Sequence, residues 1–570
     1  MSHPATPEVR HEYVGGIPLL MAYIDRLQIK SIVDQGVPAA PQAGVSHGEC
    51  VLALLLALFL GEHRLYQVDK RLQDIDVARF FQREGLTASD FHDEHLGWTL
   101  DALFGNTSKL YAAIISLAIR TFGLKIKRLH ADFTTIVLYG AYSRAGGLTD
   151  LLEPPPVPAR GFSKDHRPDL LQLLWGMVMS QEGIPVMGNF ENGNAAETEL
   201  FRKNMTSLAG MLDDLRAEGA VMVGDSKLCT IPTMAQAADL QMPILTLVPE
   251  TWNFRQEAIE AALKAKDLPL LMVTTEKEEY RGQSHQIQVL IEEDGKPCRT
   301  TRLRVMAVHS TQLAKQKAES RCRAMEKERE RLDKWAQRMA KREFACEADA
   351  RRVLDHEWKA AKAEFHTMEA IPFSVERSEK RGRGRPAQGA VPKTQIVWMV
   401  QPTFTAVDPR PQEGLDPAGF FVLLTTVTDH RRMSDTDMLE IYKDQKTVEI
   451  GFHWLKSPMA ISPIFLKKTE RIQSIGLIFL LALLIGALIQ RDLRKGLGKR
   501  GGTVAYFGGK RTEVPTWNSA LALFSAIRAT WIKVGDDWHR VLHLFDPDHQ
   551  EILDLLGIPK TYEKTGHVYN

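Results

Sequence analysis

Apolar and polar positions change texture several times along the chain. Up to residue 125 they repeat at helical spacing. "GECVLALLLALFLGEHRLYQVDKRL" predicts a buried helix by its length and leucine content, and "SKLYAAIISLAIRTFG" predicts another that stops at its glycine. Near Lys127, β-branched and aromatic residues take over. "RLHADFTTIVLYG" predicts a strand, and "LLQLLWGMVMSQEGIPVMGNFENGN" a hairpin turning at Glu182-Gly183. "ETELFRKNMTSLAGMLDDLRAEG" predicts a helix stopped by Gly219, and "AVMVGDSKL" a short strand ending in Asp225. "IPTMAQAADL" then predicts a helix and "MPILTLVP" a further strand. The order β-β-β-α-β-α-β predicts an α/β fold, a mixed sheet with helices on its faces.

That rhythm breaks between 252 and 430. Strand-like runs occur at "LPLLMVTT", "HQIQVLIEE" and "TTRLRVMAVHS", followed by a long charged segment, 311–366. Met325, Leu332, Met339, Cys346 and Val353 recur there at steps of seven. Glu328, Arg342 and Asp349 put charge on the companion positions of that repeat. One or two amphipathic helices lying on a body are expected rather than a continuous coiled coil. "TQIVWMVQPTF" and "GFFVLLTTVTD" return to strand texture.

Helical texture resumes at "DTDMLEIYKDQ" and runs on through "YKDQKTVEIGFHWLK". Tyr442, Glu449 and Lys456 stand at steps of seven with Gln445 between the first two, so one helical face can carry all four. The step from Glu449 to Lys456 spans ~10 Å, too far for the usual i,i+4 ion pair. The next run, 474–489, is apolar for about 15 residues, short of the ~20 that span a bilayer. A helix buried on all sides is expected there, with no membrane partner. A glycine-rich basic linker follows, and "NSALALFSAIRATWIKV" and "QEILDLLGI" predict small amphipathic helices.

Charge adds one feature. The chain has 570 residues, 72 Lys+Arg against 71 Asp+Glu, and a net charge of +1, which by itself says nothing about nucleic acid. The distribution is uneven: residues 451–511 hold 11 Lys+Arg and 2 Asp+Glu. A stretch that basic points either to a polyanionic partner on one surface or to an exposed solubilising face. The five cysteines are scattered without a CxxC pair, which argues against a zinc site or disulfide framework and fits a reducing cytosol. The first residues lack the apolar core of a signal peptide.

Three acids occupy telling places. Asp132 lies within the first strand, Asp225 ends the fourth, and Glu449 lies on a helix beyond the fifth. In an RNase H-like fold the first and fourth strands are neighbours and a following helix packs beside their ends, so these positions converge. Carboxylates gathered around one cavity repel unless a divalent cation neutralises them. Mg²⁺ suits hard oxygen ligands, and two such ions can drive an in-line displacement at phosphate. His130, two residues before Asp132, faces the same side and is read as a core or neighbouring histidine.

With these residues in place, the chain resembles bacterial insertion-sequence transposases of the Asp-Asp-Glu (DDE) type. It is most similar to the branch with a Tyr-x2-Arg-x3-Glu-x6-Lys signature, here Tyr442, Gln445, Glu449 and Lys456. Gln445 stands where the signature has arginine, which removes a charged phosphate fork. "GFSKDHRPDLLQ", "GIPVMGNFENGN" and "VGDSK" also look like blocks of such enzymes. The resemblance implies an RNase H-like core that cuts transposon ends and joins them to target DNA. Asp132, Asp225 and Glu449 would be the catalytic, metal-binding triad for two Mg²⁺ ions, with Mn²⁺ as a substitute. Tyr442, Gln445 and Lys456 would meet DNA near the cleaved end. The partners implied are double-stranded DNA and a second copy of the chain, in the bacterial cytoplasm. The alternative is a catalytically silent DNA-binding protein derived from such an enzyme.

Between Asp225 and Glu449 lie 449 − 225 − 1 = 223 residues, too many for a plain crossover. The expected division is therefore a helical N-terminal domain, 1–125, for DNA-end binding or dimerisation; the core's first part, 126–251; and a β-rich and helical insertion, 252–430. The core's second part, 431–497, and a C-terminal linker with small helices, 498–570, complete it. Within the insertion, "EKRGRGRPAQG" resembles an AT-hook core. Arg381, Arg383 and Arg385 would enter a narrow minor groove or touch phosphates from a flexible basic loop. Lys164 and Arg167 belong to a hydrophilic turn that either ties its loop to the sheet by ion pairs or contacts DNA.

Overall fold

The computed structural model describes residues 8–40, 43–139, 142, 154–161, 167–211, 219–265, 267–293, 296–378, 394–407, 415–445, 449–452, 464–506, 508–535 and 537–558. Strand β1 (Val9–Tyr13) precedes α1 (Ile17–Arg26), α2 (Ile29–Gly36), α3 (His47–Phe59), α4 (Leu65–Leu72), α5 (Val77–Phe80), α6 (Asp93–Leu103) and α7 (Thr107–Phe122). The leucine-rich run expected as one helix is two. Ser46 and Glu49 form a capping box that starts α3, and Gly61, at φ +83°, turns the chain before α4 begins. Helix α7 ends at Gly123 in the left-handed region, the expected glycine stop.

Next come β2 (Arg128–Leu138), β3 (Leu171–Ser180), β4 (Pro185–Glu191), α8 (Glu197–Met211), β5 (Val221–Gly224), α9 (Ile231–Asp239) and β6 (Ile244–Leu247). The chain then forms α10 (Asn253–Lys264), β7 (Leu270–Val273), β8 (Glu279–Glu293), β9 (Lys296–Ser310), α11 (Thr311–Met339) and α12 (Glu347–Ala361). Strands β10 (His366–Glu369), β11 (Pro372–Ser378), β12 (Thr394–Val400), β13 (Thr403–Ala406) and β14 (Phe420–Thr425) lead to α13 (Asp435–Lys443) and α14 (Thr469–Arg500). The last elements are β15 (Val504–Tyr506), β16 (Lys510–Thr512), α15 (Trp517–Phe524), β17 (Arg528–Val534), β18 (Asp537–His543) and α16 (Pro547–Leu556).

The chain divides into two compact units. The first holds 1–249, 286–304 and 424–570; the second holds 250–285 and 305–423. In the first, the strand order is β4-β3-β2-β5-β6, followed by this unit's parts of β14, β9 and β8. Strand β2 is antiparallel to β3 and parallel to β5, and β5 is parallel to β6. This large mixed sheet is consistent with an RNase H-like core.

Helix α14 occupies the middle of the first unit. It is long and apolar enough to cross a membrane, yet 94% of its most apolar window is buried in the protein. It packs against β4, α1, α3, α6, α7, α15 and α16. Three glycines ten residues apart let large partners approach. A Cβ would stand 2.9 Å from the Trp175 ring at Gly476, 2.8 Å from the Trp517 ring at Gly486, and 2.5 Å from the Leu555 carbonyl at Gly496. Charged side chains tie the ends of the helix. Arg471 forks onto Asp101 of α6 at 2.7 and 2.6 Å, Tyr23 of α1 donates to Asp492 at 3.0 Å, and Arg491 reaches Glu182 at 2.6 Å.

The C-terminal part departs from expectation. The run expected as a helix through "IRATWIKV" is helical only to Phe524 and then forms β17, which pairs with β1 (Tyr13↔Arg528, Val9↔Ile532) and with β18. Alternating Thr530, Ile532 and Val534 suit a ladder better than a helix. Buried Glu12 of β1 fixes the pairing: it accepts from Trp531 Nε1 at 2.9 Å and pairs with Arg79. The expected basic linker is divided between the last turns of α14 and the β15–β16 hairpin.

In the second unit, β11 and β12 pair up to Ser378↔Thr394. Their connection, with Arg381, Arg383 and Arg385, lies outside the described residues. Trp335 of α11, Trp358 of α12 and Phe404 of β13 form an aromatic cluster with ring centroids 6.0–6.2 Å apart. Glu328, one of the charged companion positions of the seven-residue repeat, is buried. Its carboxylate accepts from the backbone N–H groups of Glu364 and Phe365 at 2.9 and 3.0 Å and lies 3.0 Å from His366 Nδ1. The charge at this position anchors the entry to β10.

Two outcomes are expected. Gly486→Leu forces a side chain into the Trp517 ring and lowers stability by about 1–3 kcal/mol, read as a reduced urea midpoint. Burial alone would raise the Glu328 carboxyl, but the backbone donors and His366 outweigh it and hold it below its usual range. A depressed carboxyl stabilises the fold above its unfolded pKa, and that contribution is lost as pH falls through the folded value. Glu328→Gln should therefore speed hydrogen exchange at the Glu364 and Phe365 amides at pH 7, and the gap to wild type should close only once pH falls below the usual carboxyl range.

Candidate active site

Two of the three expected acids are aligned by strand register. In the parallel pair, Arg128, Leu129 and His130 of β2 stand opposite Val221, Met222 and Val223 of β5. Two residues further, Asp132 comes level with Asp225, which directly follows β5. Neighbouring strands lie ~4.8 Å apart. Both residues are partly buried. Asp132 Oδ1 accepts from Phe133 N at 2.7 Å. Asp225 caps the short turn after β5, accepting from Lys227 N at 3.0 Å, while buried Thr246 of β6 donates to the Asp225 carbonyl at 2.6 Å.

The sheet's two faces have distinct coverings. Phe133 points to the face covered by α8, where it meets Phe201 edge-on at 5.0 Å. Asp132 shares the other face with His130 and, across the ladder, with Trp175, Met177 and Met179. Trp175 is the residue that Gly476 of α14 accommodates on that face.

Helix α13 brings Tyr442 to this side. It packs over β5 and β6, and the negative charge of Asp225 acts on the Tyr442 phenol. Burial first, then Asp225, push that phenol up to about 12, so it remains a protonated donor at neutral pH. Asp444, the C-cap of α13, pairs with Arg128 at the start of β2 at 2.6 Å. At the other end of α13, fully buried Arg304 donates from Nη2 to the Met433 carbonyl at 2.7 Å.

The continuous four-residue face expected for Tyr442, Gln445, Glu449 and Lys456 is interrupted. Helix α13 ends at Lys443, and Gln445 follows in a turn, its N–H bonding the Tyr442 carbonyl at 3.3 Å. Glu449 is exposed in the next helical stretch, 449–452. Gly451 sets where that stretch lies: a Cβ there would stand 2.6 Å from Met179 Sδ and 2.8 Å from Met177 Cε. These methionines oppose His130 and Asp132, so the chain two residues past Glu449 rests on the sheet face that carries Asp132. Among the described residues, no group of three or more His, Cys, Asp or Glu side chains is close enough to hold a metal ion.

Lys456 and Lys164 lie outside the described residues, as does His453. Arg167 is exposed and forks onto Asp169 at 2.9 and 2.7 Å. Glu191 pairs with Lys203 at 2.7 Å. Sequence reasoning missed four contributors: the Arg128–Asp444 pair, Thr246, Arg304 and Gly451. Only Gly451 left a signal, as a glycine inside a helical pattern two residues after the acid, where close packing is a usual cause.

His130 is fully buried, and neither ring nitrogen has a protein hydrogen-bond partner. Burial lowers its pKa to about 4; Asp444 opposes the shift and Arg128 adds to it. The unfolded chain takes up this proton near pH 6.5, whereas the folded chain resists until about 4. Its contribution is complete above 6.5 and is lost as pH falls from 6.5 to 4. His130→Leu should flatten the stability profile in that window by up to ~1.4 kcal/mol per pH unit, measured by urea titration at each pH.

Comparisons with known proteins add little to this geometry. The family described as "Domain of unknown function (DUF4277)" matches residues 10–116, from β1 into α7 and less than half of the chain. No curated protein matches. Among solved structures, the chain is similar to the piggyBac transposase synaptic complex with hairpin DNA. Identity is 9%, over 91% of this chain and 82% of that one, with a TM-score of 0.35. At that score the likeness decides neither fold nor function.

Proposed function

We propose that this chain is a DNA transposase of the DDE type, cleaving insertion-sequence ends and joining them to target DNA by phosphoryl transfer. The observation that carries this reading is the β2–β5 register, which leaves Asp132 in β2 and Asp225 just past the end of β5 each two residues beyond the His130–Val223 pair. Tyr442 beside Asp225, and Gly451 against Met177 and Met179, add the signature segment to the same sheet face.

The donor set suits Mg²⁺. Asp132 and Asp225 offer hard carboxylate oxygens at one height, and an octahedral Mg²⁺ takes few protein ligands and keeps several waters. Glu449 completes the set when its exposed side chain turns toward the sheet. Bound as a pair, with Mn²⁺ as a substitute, such ions would neutralise these carboxylates and lower the cost of charge at the reacting phosphate. The Tyr442 phenol, held protonated, donates to a phosphate oxygen beside the acids. The Gln445 amide offers a neutral donor where the family signature has a guanidinium. Lys456, Lys164, Arg167, Arg381, Arg383 and Arg385 supply phosphate or groove contacts. The N-terminal helices bind DNA ends or dimerise, the segment 252–430 is an insertion in the core, and a homodimer acts on paired ends in the bacterial cytoplasm.

The test is cleavage of a duplex carrying the end of the DNA element that encodes the protein, with Mg²⁺ or Mn²⁺. Wild type should nick at the end. Asp132→Asn, Asp225→Asn and Glu449→Gln should each lower cleavage by about 100-fold or more, because loss of even an outer-shell partner costs 10–100-fold. Duplex affinity without metal should stay within about twofold. Variants that cut like wild type overturn the triad, and a wild type that binds the duplex but never cuts it indicates the catalytically silent relative.

A further inference from the structure

The outer face of α11 carries a row of positive charge. Lys327, Arg331, Lys334 and Arg338, with Lys341 just past the helix end, follow one another at steps of four and three, so they share one face. Fourteen residues at 1.5 Å each make the row ~21 Å long. All five side chains are exposed and, with Glu330 and Gln337, line an open groove of about 530 Å³. Leu332, Met339 and Glu328 of the same helix are buried within the second unit, so α11 has a fixed inner face and a free outer one.

Three other arginines of α11 have a carboxylate within 4.0 Å, whereas, among the described residues, its Lys315 and Lys317 do not. Arg329 forks onto Asp333 at 3.0 and 3.1 Å, Arg321 meets Asp416 at 2.9 Å, and Arg323 is 3.9 Å from Glu319. Of the five groove cations, Arg331 has a carboxylate at 3.9 Å, that of Glu328. Among the described residues, Lys327, Lys334, Arg338 and Lys341 have no ion-pair partner within 4.0 Å. Four like-charged neighbours at i,i+3 and i,i+4 each destabilise the helix by a few tenths of a kcal/mol. A polyanion seated along the groove would remove that repulsion.

We propose that this face of α11 is a docking surface for the phosphate backbone of duplex DNA. The inference rests on the DNA reading above and locates one of its contacts away from the acids. A 21 Å row spans about six base pairs of duplex at 3.4 Å of axis each. Lysines and arginines along a straight helix fit a sequence-independent backbone contact, positioning DNA without reading its bases.

The test is fluorescence anisotropy of the full chain with a labelled duplex of about 30 base pairs, from 50 to 300 mM NaCl without divalent metal. The variant K327Q/R331Q/K334Q/R338Q/K341Q keeps helix propensity while removing the row. Each phosphate contact contributes about 0.9 to the slope of log affinity against log salt. The variant should therefore lose about 3–4.5 from that slope. A control neutralising five exposed lysines of the same unit, K264Q/K277Q/K315Q/K359Q/K362Q, should change it by less than about 1. An unchanged slope in the groove variant, or an equal loss in both, overturns the docking surface and leaves the DNA reading standing. A wild type that fails to bind duplex at 50 mM salt overturns both. A thermal melt confirms that each variant is folded.

Discussion

The burial of α14 is the constraint on which the first unit depends. Its apolar stretch is too long to be left in water, and burying a leucine or isoleucine side chain is worth roughly 1.5–3 kcal/mol. One helix presents apolar surface all round, so it needs cover on every side. That cover comes from widely separated parts of the chain: β4 and the sheet, the N-terminal helices, and α15 and α16. Glycines 476, 486 and 496 decide where partners come closest, and Arg471, Arg491 and Asp492 fix the angle at the ends. A packed helix with polar ties at both ends is a rigid backing, and it covers the sheet face that carries Asp132.

That backing bears on the acids. Residues that bring reacting groups together do so only when their own positions are held by packing. Asp132 gets its place from a central strand paired on both sides, and Asp225 from a strand end braced by Thr246. Tyr442 owes its position to a helix held at one end by Arg304 and at the other by the Arg128–Asp444 pair. Glu449 differs: it is exposed, and its neighbour Gly451 rests on two methionines, side chains that adapt to what packs on them. The three acids thus range from a fixed strand interior to a pliable contact.

Much of the sheet was legible in the chain because its strands announce themselves. "RLHADFTTIVL" and "LLQLLWGMVMS" are dense in β-branched and apolar residues, and Glu182-Gly183 marks the turn between them. Register was not legible, since nothing in one strand's composition says which residue of β5 will lie beside Asp132. Sequence spacing also overstated helix continuity: steps of seven aligned Tyr442 with Glu449, but α13 ends at Lys443, with Asp444 as its C-cap. The run 528–534 was misread because its strand character depends on a partner, β1, more than 500 residues away. The burial of Glu328 was not legible either, because a buried carboxylate becomes reasonable only once Glu364, Phe365 and His366 surround it.

The wide sequence separation of α14's partners has a consequence for how the protein is made. Helices α1 to α7 are complete by residue 122, but the helix that covers them begins at residue 469. At 5–20 residues per second, the apolar faces of the N-terminal helices wait about 20–70 s on the ribosome before their partner emerges. Strand β1 waits longer still, for β17. Such long-range closure is slow and leaves unpaired edges and apolar surface open to association in the interval. Chaperone demand during synthesis should accordingly fall most heavily on the first 120 residues, the part of the chain that looks most self-sufficient when finished.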